Sequence, residues 1–459
     1  MTRRGGKAAP TSRAGPREAA FLVLKDTAAG RTPEDSLAVR GLGLEPRDLN
    51  LATALVYEVL RHQSYLDWLW RGRLAAGRAG PDLALVLRLG LAQILYFDRL
   101  GDHAAVSETV ELAKKLVPGR HGLVNAVLRG LLRERDAGGP WPPGPPAGPD
   151  KAAGLALKHS YPVWLAAELL ARLGPAEAEA LLAAGNQPTP PTLRVNPRRT
   201  TREDLTLPFK TRPTALAPWG LKAETFAGRP ETWPGFAEGL FAVQDEASQL
   251  AGLLAGELPA GAAVLDACAG QGGKALHLAA LNPAALVTAR DRDPGKLDRL
   301  AAEARRLGLD NLCPEPRDLL AGGGGEAFDL VLVDAPCSGL GVIRRRPDLK
   351  WRKGPEDVTR LAGLQLRLLE AAAGLVRPGG RLLYGVCTFS LAEGPETAAK
   401  FLAARPGFRA APPSAWPPAL RPHLEDGGLT LWPHRHQTDG FFWAVFERAG
   451  DRGSAPAGA

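Results

Sequence analysis

Cysteine is scarce in this chain of 459 residues: Cys268, Cys313, Cys337 and Cys387 are the four it has. No two of them form a CxxC pair, which excludes the usual zinc spacing, so no metal is expected. The chain also lacks any apolar run of the ~18 residues that a membrane span needs, and no membrane partner is expected. Met1 to Pro16 carries Arg3, Arg4, Lys7 and Arg13 but no apolar h-region, which argues against a secretory signal. Residues 1–16 and 449–459 read as flexible tails, the first of them a basic arm able to touch RNA. A long chain with no export signal is expected in the cytoplasm, with reduced thiols and as a monomer.

Charge and length say more. Fifty-seven basic and 49 acidic residues leave a net +8, which suits a nucleic-acid partner. At about 150 residues per domain the length allows two to four domains. Residues 17–135 read as all-helical: Arg47 to Leu60, Pro81 to Phe97 and Ala104 to Val117 carry helical apolar spacing. Residues 136–150 are dense in Pro and Gly and read as a linker. A small middle region, 151–240, follows. It holds a helix from Val163 to Leu173, ended by Gly174-Pro175, and a short strand at Thr192 to Asn196.

From 241 to 448 the pattern alternates strand and helix. Val264 to Cys268, Leu286 to Asp291, Asp329 to Asp334 and Arg381 to Cys387 are strand candidates. Pro294 to Leu307 and Pro355 to Val376 read as helices between them. This alternation marks a doubly wound α/β sheet, with Phe441 to Phe446 as a late strand, antiparallel and at or near an edge.

Open sheets of this kind bind ligands at the carboxyl ends of their strands. The first strand runs into Cys268-Ala269-Gly270-Gln271-Gly272-Gly273-Lys274, a loop whose glycines permit a tight turn and close approach of a ligand. Asp291 ends the next strand at a spacing that suits ribose hydroxyls. The loop alone fits NAD and S-adenosylmethionine equally. A P-loop is excluded, because Ala275 stands where Ser or Thr is required.

Several motifs together resemble one family. Asp266-Ala-Cys-Ala-Gly-Gln-Gly-Gly-Lys274, Asp334-Ala-Pro-Cys-Ser338, Arg344-Arg-Arg-Pro-Asp-Leu-Lys-Trp351 and Asp439-Gly-Phe-Phe442 are similar to those of the bacterial ribosomal RNA small-subunit methyltransferase B (Fmu or Sun) family of RNA cytosine-C5 methyltransferases. His103-Ala-Ala-Val-Ser-Glu108 and Gly122-Leu-Val-Asn-Ala-Val-Leu-Arg129 resemble the family's NusB-like domain. Phe241-Ala-Val-Gln-Asp-Glu-Ala-Ser248 is similar to its entry into the catalytic domain. Two departures stand out. Gly270-Gln271 replace the family's Ala-Pro, and Val386 stands where Thr usually precedes the second cysteine.

The resemblance implies a multidomain fold: an all-α NusB-like bundle, a small α+β middle domain and an α/β Rossmann-like methyltransferase domain. It implies S-adenosylmethionine bound by residues 268–274, Asp291, Asp318 and Asp334. It implies a small-subunit ribosomal RNA substrate, at the cytosine numbered 967 in that family, with tRNA or another rRNA site as the rival. In family terms Cys387 adds to cytosine C6, Cys337 helps release the product, and Asp334 hydrogen-bonds the base edge. A thiolate suits this covalent role, because C5 attacks a methyl group only once C6 is saturated. Cys268 is expected to pack in the loop and Cys313 to be structural.

Arg344, Arg345, Arg346, Lys350, Arg352 and Lys353 surround Pro347 and Trp351, a mixture suited to phosphate contact and base stacking. Arg194 and Asn196 are candidates for further RNA contacts, and His434 and His436 for surface or RNA-facing positions. Two other classes compete: a NusB-like RNA-binding factor with an inactive catalytic domain, and an NAD-dependent oxidoreductase.

Overall fold

Proline placement opens the helices of the amino-terminal half. Pro16, Pro33, Pro46 and Pro81 each occupy a first helical position, where the missing N–H costs nothing. The helices run Pro16–Ala28, Pro33–Arg40, Pro46–Arg71, Pro81–Tyr96, Asp102–Leu116 and His121–Asp136, with a break in the third at His62. Their apolar faces meet in one core that includes Phe21, Leu55, Leu66, Leu87, Leu91, Val124 and Leu128. The computed structural model describes residues 15–74, 79–144, 148–225, 228–322, 327–425 and 427–450. The expected terminal tails lie almost wholly outside these residues.

By their contacts the residues fall into two compact units. One comprises residues up to Asn186 together with Arg346–Arg352, the other Gln187–Arg345 and the chain from Lys353 onward. Helices Lys151–His159 and Val163–Gly185, part of the middle region read above, make their contacts within the first of these units. The second of these is broken at Gly174, whose φ of +73° only glycine adopts easily, and it restarts at Pro175.

The other unit holds two sheets. The smaller is antiparallel, in the order β2-β3-β1-β4, with β1 Thr192–Val195, β2 Thr211–Pro213, β3 Gly220–Ala223 and β4 Phe241–Val243. Leu193, Val195, Leu221, Trp233 and Phe241 form its core.

The larger sheet contains β5 Ala263–Asp266, β6 Leu286–Asp291, β7 Leu312–Pro316, β8 Phe328–Asp334, β9 Val376–Val386, β10 Phe408–Ala410, β11 Leu424–Glu425, β12 Gly428–Leu431 and β13 Phe441–Arg448. Its order is β11-β12-β13-β9-β8-β5-β6-β7, with β10 pairing to β13. The five strands β7, β6, β5, β8 and β9 are parallel. Their apolar runs follow from burial on both faces. Val264, Leu330, Leu332 and Leu383 enter one core, whereas Leu265, Val331, Val333, Leu382 and Tyr384 enter the other.

The late strand is antiparallel, as its sequence suggested. β13 pairs with β9 on one side and β12 on the other, so it lies near the edge rather than at it, with the short β12 and β11 beyond it in the sheet order. Strand order reverses between β5 and β8, and the loops after these two strands open at that reversal.

Candidate active site

The loop after β5 is shaped by backbone geometry. Gly270 and Gly272 have φ of +56° and +87°, the left-handed region. A Cβ on Gly272 would also stand 2.4 Å from Leu300 Cγ, so the turn into helix Gly273–Leu281 needs glycine there. Asp291, at the end of β6, clips the loop: its Oδ2 accepts the Gly270 N–H at 2.9 Å, and its Oδ1 accepts the Asp293 N–H at 2.9 Å. Arg194, buried in β1, donates to Gly273 O and to Gln244 Oε1, each at 2.6 Å.

Four carboxylates converge on this loop. The Cys268 thiol is pushed up first by burial, then by the charges of Asp266, Asp334, Asp291 and Asp318. Asp266 is fully buried, and its carboxyl is raised to about 7, by burial first and by the Asp334 charge second. Asp318 is exposed and caps the short helix Leu319–Ala321, accepting the Leu320 N–H at 2.9 Å. Lys274 donates to Asp334 Oδ2 and lies 5.1 Å and 5.9 Å from the ring centres of Phe441 and Trp443. Burial pulls its ammonium down, but Asp334, Cys387 and Asp266 outweigh that, and the net shift is upward. The site expected from sequence to hold cofactor at Lys274 therefore joins Lys274 to the Asp334 carboxylate.

The two strand-end cysteines meet beside this pair. Cys337 follows β8, Cys387 follows β9, and their sulfurs are 3.2 Å apart. The Cys337 thiol is held well above its usual value, first by the hydrogen bond with Cys387, then by burial and by the charges of Cys387, Glu393 and Asp334. Close backbone packing fixes the two loops. The Gly341 N–H donates to Cys387 O at 3.0 Å, and the Gly440 N–H donates to Gly341 O at 2.8 Å. A Cβ on Gly341 would come within 1.9 Å of Gly440 O. Val386, the departure from the family's Thr, is fully buried in β9.

Other sequence expectations are redirected. Arg344 is buried, with Nε donating to Asp439 Oδ1 at 3.0 Å and a terminal nitrogen 3.6 Å from Asp245. Arg345 pairs with Asp439 as well. Asp439, the acid of the Asp-Gly-Phe-Phe motif, is buried and accepts both. Within the helical unit, Arg346 pairs with Glu34 at 3.0 Å. Lys350 is buried and donates to Arg61 O at 3.0 Å, to Ser160 O at 3.1 Å and to Asn186 Oδ1. Trp351 donates to Leu60 O at 2.6 Å. Arg344 and Lys350 are thus spent on buried intramolecular partners, whereas Arg345 and Arg346 keep part of their side chains exposed.

Arg194 and Asn196 are buried too. Asn196 donates to Gly239 O and Leu307 O, each at 2.9 Å. His436 Nδ1 accepts the Trp432 N–H at 2.9 Å, and its Nε2 lies 3.3 Å from His423 Nδ1. Cys313 is exposed on β7. Sequence reasoning missed Glu393 and Gln365, buried polar residues that meet behind the Cys337 turn.

Comparison with known proteins agrees with this architecture. The family described as 16S rRNA methyltransferase RsmB/F matches residues 255–447, the NusB family residues 15–133, and an RsmF/B-like ferredoxin-like domain residues 161–215. A probable ribosomal RNA small subunit methyltransferase B from Synechocystis is 35% identical, over 94% of this chain and 99% of that protein. The ribosomal RNA small subunit methyltransferase B of Vibrio cholerae is 33% identical over 91% of this chain and 94% of its own. The crystal structure of PH0851 matches with a TM-score of 0.76 at 24% identity, covering 96% of this chain and all of that one, a likeness of fold. The protein thus combines a NusB-like helical domain, a small ferredoxin-like domain and a Rossmann-like methyltransferase domain, and its cofactor is S-adenosylmethionine. The chain belongs to the RsmB/F family of ribosomal RNA methyltransferases.

Proposed function

We propose that the protein transfers a methyl group from S-adenosylmethionine to C5 of a cytosine in 16S ribosomal RNA, at the position numbered 967 in the family it resembles. The transfer runs through a covalent bond between Cys387 and C6. The observation that carries this reading is the pair of sulfurs 3.2 Å apart, with the Lys274–Asp334 pair beside them.

The residues around the loop fit the cofactor. Asp266, Asp291, Asp318 and Asp334 make the loop's surroundings acidic, which suits a sulfonium and an ammonium and opposes a pyrophosphate. That charge balance favours S-adenosylmethionine over NAD at a loop whose sequence fits both. Asp291 and Asp318 would hold the adenosine end, and the left-handed turn at Gly270 and Gly272 lets it approach the backbone. When bound, the cofactor supplies an electrophilic methyl group.

Cytosine C5 is a poor nucleophile until C6 is saturated. Cys387 sulfur adds to C6, and the ring's electron pair moves toward C5, which then takes the methyl group. Loss of the C5 proton to solvent returns its electron pair to the ring, which re-forms the C5–C6 double bond and expels the Cys387 sulfur as a thiolate. Lys274 and Asp334 present a donor beside an acceptor, and the cytosine edge presents the complement: an amine at N4 beside N3 and O2. The attacking role falls to Cys387 by the family resemblance, and Cys337, whose sulfur lies 3.2 Å away with its thiol pushed up, serves as the proton donor that helps release it. A target base inside a duplex must first be flipped out.

Bisulfite sequencing of 16S rRNA treated with the protein and S-adenosylmethionine tests the reading. One newly protected cytosine at the equivalent of position 967 is expected. Protection in tRNA alone would move the substrate, and no protected cytosine in either RNA would contradict the reaction.

A further inference from the structure

Glu393 lies in the loop after Cys387 and is fully buried, yet it has no part in the chemistry described so far. Its carboxylate gathers donors from two other segments. Oε1 accepts the Ser338 N–H at 2.7 Å and the Gln365 amide at 3.0 Å. Oε2 accepts the Ser338 hydroxyl, which lies 3.2 Å from the Thr388 hydroxyl. The same Gln365 amide reaches Pro336 O at 2.9 Å, on the other side of Cys337. The Tyr384 hydroxyl, from β9, donates to the Glu393 carbonyl at 2.5 Å.

Cys337 is thus bracketed. Its preceding residue is held through Gln365 and its following residue directly by Glu393, while Glu393 itself hangs from the strand that delivers Cys387. A buried carboxylate is costly unless its acceptor sites are filled, and here both oxygens are. So dense a bond set at the back of one turn fixes where the sulfur in front of it can sit.

We propose that Glu393 is a positioning residue for the cysteine pair: it locks the turn carrying Cys337 to the turn following Cys387 and so sets the separation of the two sulfurs. The role rests on the covalent mechanism above only for its value to catalysis. The positioning itself can be tested without RNA.

Glutamine at this site keeps one acceptor for Ser338 N–H and Gln365. Its amide can donate to the Ser338 hydroxyl, which then turns toward Thr388. Alanine keeps none of this. The full chain carrying Glu393→Gln, Glu393→Ala or Ser338→Ala is compared with the parent in two assays. The first is binding of phenylarsine oxide, which needs two sulfurs within bonding reach of one arsenic, read by intact mass. The second is rRNA methylation, with kcat and KM for RNA separated and S-adenosylmethionine affinity measured by calorimetry.

For Glu393→Ala, arsenical binding and kcat should each fall by about tenfold or more, with KM and cofactor affinity unchanged, because a sulfur displaced by an ångström loses its reaction geometry. Glu393→Gln should stay within about threefold of the parent in both assays, and Ser338→Ala should fall between the two. Parent-like arsenical binding in Glu393→Ala overturns the proposal. If that variant does not fold, a Glu393→Gln protein that has lost arsenical binding overturns it. Loss of arsenical binding in a chain whose parent methylates no RNA would uphold the positioning while refuting the covalent reading.

Discussion

Cys337 and Cys387, fifty residues apart in the chain, bring their sulfurs to 3.2 Å at the ends of adjacent parallel strands. At that distance the pair holds one negative charge far more readily than two. Cys337, hydrogen-bonded to Cys387 and buried near Glu393 and Asp334, has its thiol pushed well above the usual value. The arrangement gives two like residues unlike tasks.

The cofactor loop depends on one carboxylate. Asp291 holds the Gly270 amide and is the acid expected to meet the ribose. Asp291→Ala should weaken S-adenosylmethionine binding by about 1.5–3 kcal/mol, the worth of a charge-assisted bond. Titration calorimetry that returns parent affinity would remove Asp291 from the site.

Arg344 should matter to folding rather than to RNA. It is buried between Asp439 and Asp245, and its loss leaves two buried acids with one fewer cation. Arg344→Ala should lower stability by about 3–5 kcal/mol in denaturant unfolding. RNA affinity measured across a salt series should keep the parent's slope, because no phosphate contact is lost. A stable variant with a shallower slope would restore the phosphate-binding loop.

Acid should stabilise the protein through Asp266. Its folded value of about 7 lies above the ordinary carboxyl value of 3.8, because burial and Asp334 oppose its charge. The folded state therefore binds more protons between those two values. The Asp266 contribution is greatest below pH 3.8, declines as pH rises toward about 7 and is level above that. Asp266→Asn should flatten the fall in stability over this window. Parallel pH profiles for parent and variant would show that Asp266 does not titrate there.

The larger sheet was legible because β5, β8 and β9 are apolar on both faces, the mark of parallel strands covered on each side. The antiparallel sense of β13 was legible too. Whether it stood at the edge or one place in from it was not, because pairing on a second side by the four-residue β12 leaves no trace in the β13 sequence. The cysteines, Asp334 and the glycine loop announced themselves as polar residues at strand ends. Arg344 and Lys350 misled for a physical reason: a sequence displays charge but not the partner that consumes it. Lys350 meets Arg61 and Asn186, 289 and 164 residues away. Glu393 was hidden likewise, since its partner Ser338 lies 55 residues upstream.

Denaturing gels with labelled 16S rRNA and S-adenosylmethionine, run on Cys387→Ala and Cys337→Ala, test the division of labour between the sulfurs most directly. The account predicts no covalent adduct and no methylation from Cys387→Ala, and an accumulating protein–RNA adduct from Cys337→Ala, whose release step is impaired. An adduct from Cys387→Ala with none from Cys337→Ala would reverse the roles, and full activity in both would contradict covalent catalysis altogether.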